Sequence, residues 1–179
     1  MNVDNANYYY PFSHYEISGT ASVKYYAFNG QRVAMKVGST LPYLHSDHLG
    51  STALATNANG TIHSSEQYYA YGKPDRLGAG AALPTDYTFT GQKRDSSGLM
   101  YYGARYYDPS IGMFISPDTI VPQPGLASDY NRYAYVRGRV MNMNDPSGYC
   151  PASQQAAGND FVKYARCRAL VDTIYYNEW

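Results

Sequence analysis

The stretch Val23-Lys24-Tyr25-Tyr26-Ala27-Phe28-Asn29-Gly30-Gln31-Arg32-Val33-Ala34-Met35-Lys36-Val37 decides the fold class. At its centre stands Asn29-Gly30. A two-residue hairpin turn of type I′ needs positive φ at both central positions, and Asn and Gly adopt it at the lowest cost. The flanking runs are rich in Val, Tyr and Phe, which suit a pleated, half-buried surface. The stretch therefore predicts two antiparallel strands, and the neighbouring sequence repeats the pattern. Residues 41–45 form a third run. Residues 51–56 and 61–71 flank Asn57-Ala58-Asn59-Gly60, a second Gly-ended hairpin loop, and Tyr71-Gly72 closes it. Residues 77–84 are Gly/Ala-rich without a period and read as a loop. Further strands are expected at 87–90, 99–107 and 113–116. Ser96-Ser97-Gly98 and Asp108-Pro109-Ser110-Ile111-Gly112 separate them, the latter with Pro where a type I turn wants it. Residues 130–136 fit a strand or a short helical turn; periodicity does not separate the two.

The ends differ from the middle. Residues 1–22 are polar with little period and read as a lead-in that pairs with upstream strands. After Gly148, residues 149–158 are small and polar, a linker. Asn159 is placed to cap a helix, and Tyr164, Cys167, Leu170, Val171 and Ile174 follow at helical spacing. The chain thus divides into 1–22, a β body over 23–149, and a tail over 150–179 with one amphipathic helix. That helix docks on its own domain or on a partner.

Composition narrows the chemistry. There are 22 Tyr against 5 Phe and 1 Trp, so the core is expected to be made of rings with polar tips. The formal net charge is zero and no block of like charge occurs. No basic field is present for nucleic acid, and no nucleic-acid partner is expected. No apolar run is long enough to span a membrane as a helix, and the first fifteen residues lack the basic and apolar regions of a signal peptide. Cys150 and Cys167 make one bridge or two free thiols, not a disulfide framework.

Three clusters bear on chemistry. His45, Asp47 and His48 are of the right types for zinc. On a strand, however, His45 and Asp47 share a face and His48 points away, so a role in the turn at Leu49-Gly50 is preferred and no metal is expected. No nucleophile elbow, P-loop or dinucleotide fingerprint is present, so no cofactor is expected. Arg105, Asp118 and Asp145 have structural readings from their surroundings alone. Arg105 sits among tyrosines and can stack on rings. Asp118 and Asp145 each stand where Asp orders a turn.

Four ordered segments together resemble the RHS repeat-associated core of the RHS/YD-repeat family. They are Tyr43-Leu44-His45-Ser46-Asp47-His48-Leu49-Gly50-Ser51-Thr52; Tyr68-Tyr69-Ala70-Tyr71-Gly72; Phe89-Thr90-Gly91-Gln92-Lys93-Arg94-Asp95 with Gly98-Leu99-Met100-Tyr101-Tyr102-Gly103-Ala104-Arg105-Tyr106-Tyr107-Asp108-Pro109; and Gly112-Met113-Phe114-Ile115-Ser116-Pro117-Asp118 with Asn131-Arg132-Tyr133-Ala134-Tyr135-Val136 and Asp145-Pro146-Ser147-Gly148. The chain departs from the family pattern at Met113, at Gly138-Arg139-Val140-Met141 and at Tyr149.

The resemblance implies a mainly β structure, in which antiparallel hairpins form a curved, partly open YD-repeat-type sheet. It implies the C-terminal plug of a hollow shell whose partners are upstream YD-repeat strands and a C-terminal passenger. It implies a bacterial parent that is secreted or surface-delivered. It also implies single-turnover cleavage after Tyr149, leaving Cys150 as a new N-terminus, with Arg105, Asp118 and Asp145 as the catalytic residues. In that scheme the two carboxylates share the acid and base roles, and Arg105 grips one of them bidentately. The alternative from a different class is a noncatalytic, Tyr-rich binding module or a remnant of a larger protein. The tail, about thirty residues, is too short for an evident active site of its own.

Overall fold

The strands of the first sheet follow one another in chain order, each hydrogen-bonded to the one before it. They are β1 (Asn2–Val3), β2 (Ala6–Phe12), β3 (Tyr15–Ser18), β4 (Ala21–Phe28), β5 (Gln31–Val37), β6 (Tyr43–Ser46), β7 (Thr52–Thr56) and β8 (Ile62–Ser65). All pairs are antiparallel and the sheet is open. This computed structural model describes residues 2–3, 6–12, 14–18, 21–75, 81–119, 121, 125, 127–149 and 152–153. Among them there is no α-helix, and no helix long and apolar enough to cross a membrane. The helix expected near residues 160–174 lies outside the described residues, as do Cys150 and Cys167.

The chain divides into two units, Met1–Tyr68 with Pro74–Gly91 and Tyr69–Lys73 with Gln92–Trp179. In the first, Asn29 and Gly30 both take left-handed backbone, φ 49° and 77°, as the hairpin turn demands. Val23 pairs with Val37 and Phe28 with Gln31 across it. Tyr25, Met35, Leu44 and Ala55 are buried together on one face, with Val23, Val37, Leu83 and Tyr87 packed against them. The lead-in residues do more than sequence alone suggested: β3 pairs with β4 from Tyr15–Lys24 to Ser18–Ala21 and so belongs to the same sheet. A two-stranded ribbon, β9 (Gln67–Tyr68) with β10 (Pro74–Asp75), completes the unit.

The strand expected at 87–90 is reduced to a bridge at Tyr87 that runs into a tight turn, a 3-10 segment at Phe89–Gly91 with Thr90 at φ 50°. Its backbone groups are already committed: Gly91 N–H and Thr52 N–H both donate to Thr88 O (3.1 Å each), and Thr90 N–H donates to Ser51 Oγ (3.0 Å).

The second unit holds a four-stranded open sheet, β11 (Lys93–Arg94), β12 (Met100–Tyr101), β13 (Tyr106–Asp108) and β14 (Met113–Phe114). The run expected as one strand over 99–107 is a hairpin. Gly103 at φ 87° turns the chain, Tyr102 N–H donates to Arg105 O (3.0 Å), and Met100 pairs with Tyr107. Residues 130–136 resolve into an end of one 3-10 turn (Ala127–Tyr130), a bridge from Ala134 to Met113, and the start of another (Val136–Gly138). A last pair joins β15 (Met143–Asn144) to β16 (Ala152–Ser153).

The core of this unit is aromatic. Tyr102, Tyr107, Phe114 and Tyr135 are all essentially inaccessible, with ring centroids 4.6–5.9 Å apart. Their tips find partners: Tyr102 OH donates to Tyr135 OH (3.1 Å) and Tyr107 OH to Tyr71 O (2.8 Å). Burial raises the pKa of Tyr107 well above the ordinary phenol value, with Tyr135, Tyr71 and Asp108 adding to it; burial does the same to Tyr25 in the first unit. A raised folded-state pKa means that stability is fully present below the unfolded phenol value, about 10, and falls as pH rises above it. Denaturant midpoints measured from pH 8 to 11.5 are therefore expected to hold and then drop, and Tyr107→Phe removes part of the drop.

Candidate functional site

The turn at Gly103 delivers Arg105 into the second unit, where its guanidinium lies 3.6 Å from the centre of the Phe114 ring. Nη1 donates to Arg132 O (2.9 Å), and Nε donates to Gly148 O. Nη2 faces two carboxylates, Asp118 Oδ2 at 3.0 Å and Asp145 Oδ2 at 3.5 Å. All three side chains are nearly sealed from solvent, at 6%, 9% and 2% exposure. The three residues singled out in the sequence are thus in one cluster. Because both carboxylates reach the same nitrogen, they lie no farther apart than those two contacts together allow. The bidentate grip expected of Arg105 is replaced by a bridge, one nitrogen shared between two carboxylates. Ring stacking on Phe114 holds alongside it. Burial pulls the Arg105 pKa down from its ordinary value while Asp118 and Asp145 pull it back up. Arginine's ordinary value is so high that the guanidinium stays charged.

Asp145 works mainly on its own loop. Its Oδ1 accepts from Gly148 N–H (2.9 Å) and Ser147 N–H (3.2 Å), the pattern of an Asp-led turn. Gly148 completes that turn at φ 77°. A Cβ there would stand 2.9 Å from Tyr102 O and 3.1 Å from Arg105 N, both backbone atoms. Gly148→Ala is expected to cost about 2–4 kcal/mol from left-handed strain plus the clash. A fall in the denaturant midpoint measures it, and an unchanged midpoint would show that the loop moves freely away from Tyr102.

Asp118 follows β14. Its N–H donates to Arg132 O (2.8 Å), and Arg132 Nε donates back to Asp118 O. A second ion pair lies in the same region: Arg137 Nε is 2.5 Å from Asp129 Oδ1 and Nη2 is 2.7 Å from Asp129 Oδ2. Asp129 is 1% exposed. Arg137 is aimed by unusual backbone, with Val136, Arg137 and Gly138 all at positive φ (42°, 54° and 75°). Such conformations are costly for a β-branched residue and persist only where surroundings fix them.

These groups line one small cavity. Its walls include Arg105, Asp118, Asp129, Arg137, Asp145 and Tyr149, and it leaves about 30 Å³ for water centres, room for one or two waters. Tyr149 is therefore at the cavity, while Cys150 lies outside the described residues. Sequence reasoning missed Asp129 and Arg137, and quoted Arg132 without giving it a role. Arg132 falls inside Asn131-Arg132-Tyr133-Ala134-Tyr135-Val136, and Arg137 directly follows it. Asp129 has no spacing signal linking it to Asp118. The His45 group is elsewhere: His45 Nε2 bonds Thr56 Oγ1 (2.9 Å), and Asp47 Oδ1 accepts from Leu49 and Ser51 N–H (2.8 Å each). Among the described residues no set of three His, Cys, Asp or Glu is placed to hold a metal.

No family model matches the sequence. Individual relatives do. Toxin subunit YenC2 of Yersinia entomophaga is 36% identical over 104 residues, 56% of this chain and 10% of that protein. Probable deoxyribonuclease RhsA of Dickeya dadantii (strain 3937) is 42% identical over 77 residues, 41% of this chain and 5% of that protein. The crystal structure of TcdB2-TccC3-TEV matches 80% of this chain and 8% of its own, with TM-score 0.66 and 28% identity. The chain is an RHS repeat-associated core. It spans a tenth or less of the length of each of these relatives. The RHS core is toxin-related, and YenC2 and RhsA bear names of different kinds, a toxin subunit and a deoxyribonuclease.

Proposed function

We propose that this RHS core plugs the C-terminal end of a YD-repeat shell around a passenger, and that it cuts its own chain once, after Tyr149. One observation carries the cleavage reading. Buried carboxylates and arginines share a water-sized cavity with Tyr149, and the preceding peptide is pinned there through Gly148.

Asp118 and Asp145 act as the carboxylate pair: both meet Arg105 Nη2, and the Asp145 turn engages only Oδ1, whereas both oxygens of Asp129 are held by Arg137. One of the pair takes a proton from water as the water oxygen attacks the Tyr149 carbonyl carbon. The other delivers a proton to the Cys150 nitrogen as the C–N bond breaks. The products are a Tyr149 carboxylate and a Cys150 amine. The bidentate Arg137–Asp129 pair fixes the cavity wall beside Asp118 and Asp145. Arg105 and Asp145 fix the Gly148 turn, so that the tethered substrate meets the pair at high effective concentration.

The plug role rests on the core sequence being shared by proteins whose names differ in activity, which makes it a common holder rather than the passenger. Its partners are then upstream YD-repeat strands and the passenger, in a secreted or surface-delivered parent. Intact mass of the purified chain over several days at pH 5–8 tests the cleavage. A fragment beginning at Cys150 is expected, and an unchanged mass would favour a noncatalytic binding module.

A further inference from the structure

In the first unit, each residue of the buried cluster has a chain neighbour on the opposite face of the sheet. Tyr26, Ala34, Tyr43 and Thr56 adjoin Tyr25, Met35, Leu44 and Ala55, and strand alternation turns them the other way. They form one row across the sheet. Tyr26 pairs with Ala34, Ala34 with Tyr43, Tyr43 with Thr56, and Thr56 with Ile62. Tyr26, Tyr43 and Ile62 are 46%, 41% and 70% exposed, so large apolar groups from β4, β6 and β8 meet solvent in register. Phe28, two residues along β4 from Tyr26, is exposed as well and extends the row.

Charge is arranged beside these groups. Lys24 stands directly opposite Lys36, two positions from Tyr26 and Ala34 and so on the same face. Strands β4 to β8 contain no Asp or Glu. Among the described residues neither lysine has a carboxylate partner, and Lys24 Nζ lies over the Tyr15 ring, 5.7 Å from its centre. Like charges directly opposite one another weaken a strand pair. The formal charge of the whole chain is zero, so the excess on this face is local.

We propose that this face docks an acidic polypeptide. The partner's apolar side chains rest on the Tyr26–Tyr43–Ile62 row, and a carboxylate sits between Lys24 and Lys36. The rings and Ile62 supply apolar contact area. The lysines set the sign of the partner. A basic or neutral chain leaves the Lys24–Lys36 repulsion in place, whereas a carboxylate between them relieves it. Ile62 and Phe28 offer no side-chain donor or acceptor, so sugar hydroxyls set against them would lose hydrogen bonds to water without replacement. That favours a polypeptide over an anionic glycan. Two lysines are also too few to hold a nucleic-acid backbone.

A fluorescently labelled copolymer of glutamate and tyrosine, titrated with the full chain and followed by anisotropy, tests this. Saturable binding that weakens with added salt is expected. Polyglutamate has the charge alone, and a copolymer of lysine and tyrosine has the wrong charge; each is expected to bind about tenfold more weakly. Tyr26→Ser combined with Tyr43→Ser strips rings from the face, leaves Tyr25 in the core, and is expected to weaken the copolymer about tenfold. Lys36→Glu is the sharper variant. It sets a carboxylate opposite Lys24, so it is expected to raise the thermal midpoint while weakening the copolymer about tenfold. Misfolding cannot produce that combination. A parent chain that does not bind the copolymer would overturn the proposal. So would Lys36→Glu, or the double Tyr variant, binding as the parent does. Hyaluronan or phosphatidylserine vesicles that bind the parent as tightly as the copolymer, and lose binding in the same variants, would overturn it in favour of a glycan or a membrane.

Discussion

Asp118→Asn is expected to leave the chain at full length over the days in which the parent is cut. The side chain is 9% exposed and lines the cavity beside Tyr149. The amide keeps the shape and can still accept from Arg105, but it neither takes nor gives a proton at neutral pH. Loss of one general acid or base costs about 10²–10⁴-fold in rate, enough to hide a single-turnover cut. Asp145→Asn is expected to match it. The two losses are expected not to add in the double variant, since acid and base act as one unit. Asp129→Asn separates the roles. It weakens the pairing with Arg137 at the cavity wall but removes no proton-transfer group, so slower but measurable cutting is expected. Equal loss at Asp129 and retained cutting in Asp145→Asn would move the pair to Asp118 and Asp129.

Arg105→Ala is expected to be the most destabilising single change in the second unit. Removing one partner of a buried ion pair costs about 3–5 kcal/mol, because the charges left behind have neither water nor counter-ion. Here the guanidinium serves two nearly sealed carboxylates and two backbone carbonyls, Arg132 O and Gly148 O. The Phe114 ring also loses the plane stacked on it. The deficit is expected to narrow as pH falls toward about 4, where protonation removes the orphaned charge. Urea midpoints of parent and variant at pH 7 and pH 4.5 measure both effects. A deficit that stays constant with pH would assign the loss to packing rather than to charge. Arg105→Lys separates these further, since an ammonium replaces the charge but not the three-way reach.

The parts of this molecule that were legible in the sequence are those governed by local backbone chemistry. Asn29-Gly30 announces its hairpin because few residue pairs accept two positive φ values in succession. Asp145 and Gly148 announce their turn for a similar reason, an acceptor three residues before a left-handed glycine. Where only tertiary pairing distinguishes the outcomes, the reading failed. The run 99–107 has the composition of one strand on either side of Gly103, and nothing but the pairing of Met100 with Tyr107 reveals two. Tyr87-Thr88-Phe89-Thr90 has strong strand preference, but only Tyr87 makes a bridge; Thr90 N–H turns to Ser51 Oγ and Gly91 N–H closes back on Thr88 O. Residues 15–18 carry too short a pattern to show a period, and their pairing with β4 makes them a strand. In the cavity, Arg105, Asp118 and Asp145 were found through a resemblance. Asp129 and Arg137 reach it by the 3-10 turns at Ala127–Tyr130 and Val136–Gly138, which periodicity did not resolve.

Each strand of the eight-stranded sheet binds the strand made immediately before it, and β11 to β14 obey the same rule. Contacts of short sequence separation close small loops, and closing small loops is fast. A polypeptide of this kind can assemble in the order in which it is synthesised or threaded, with no strand left waiting for a distant mate. Interrupting it at any hairpin would leave everything upstream already paired, exposing a single growing edge to misassembly at a time.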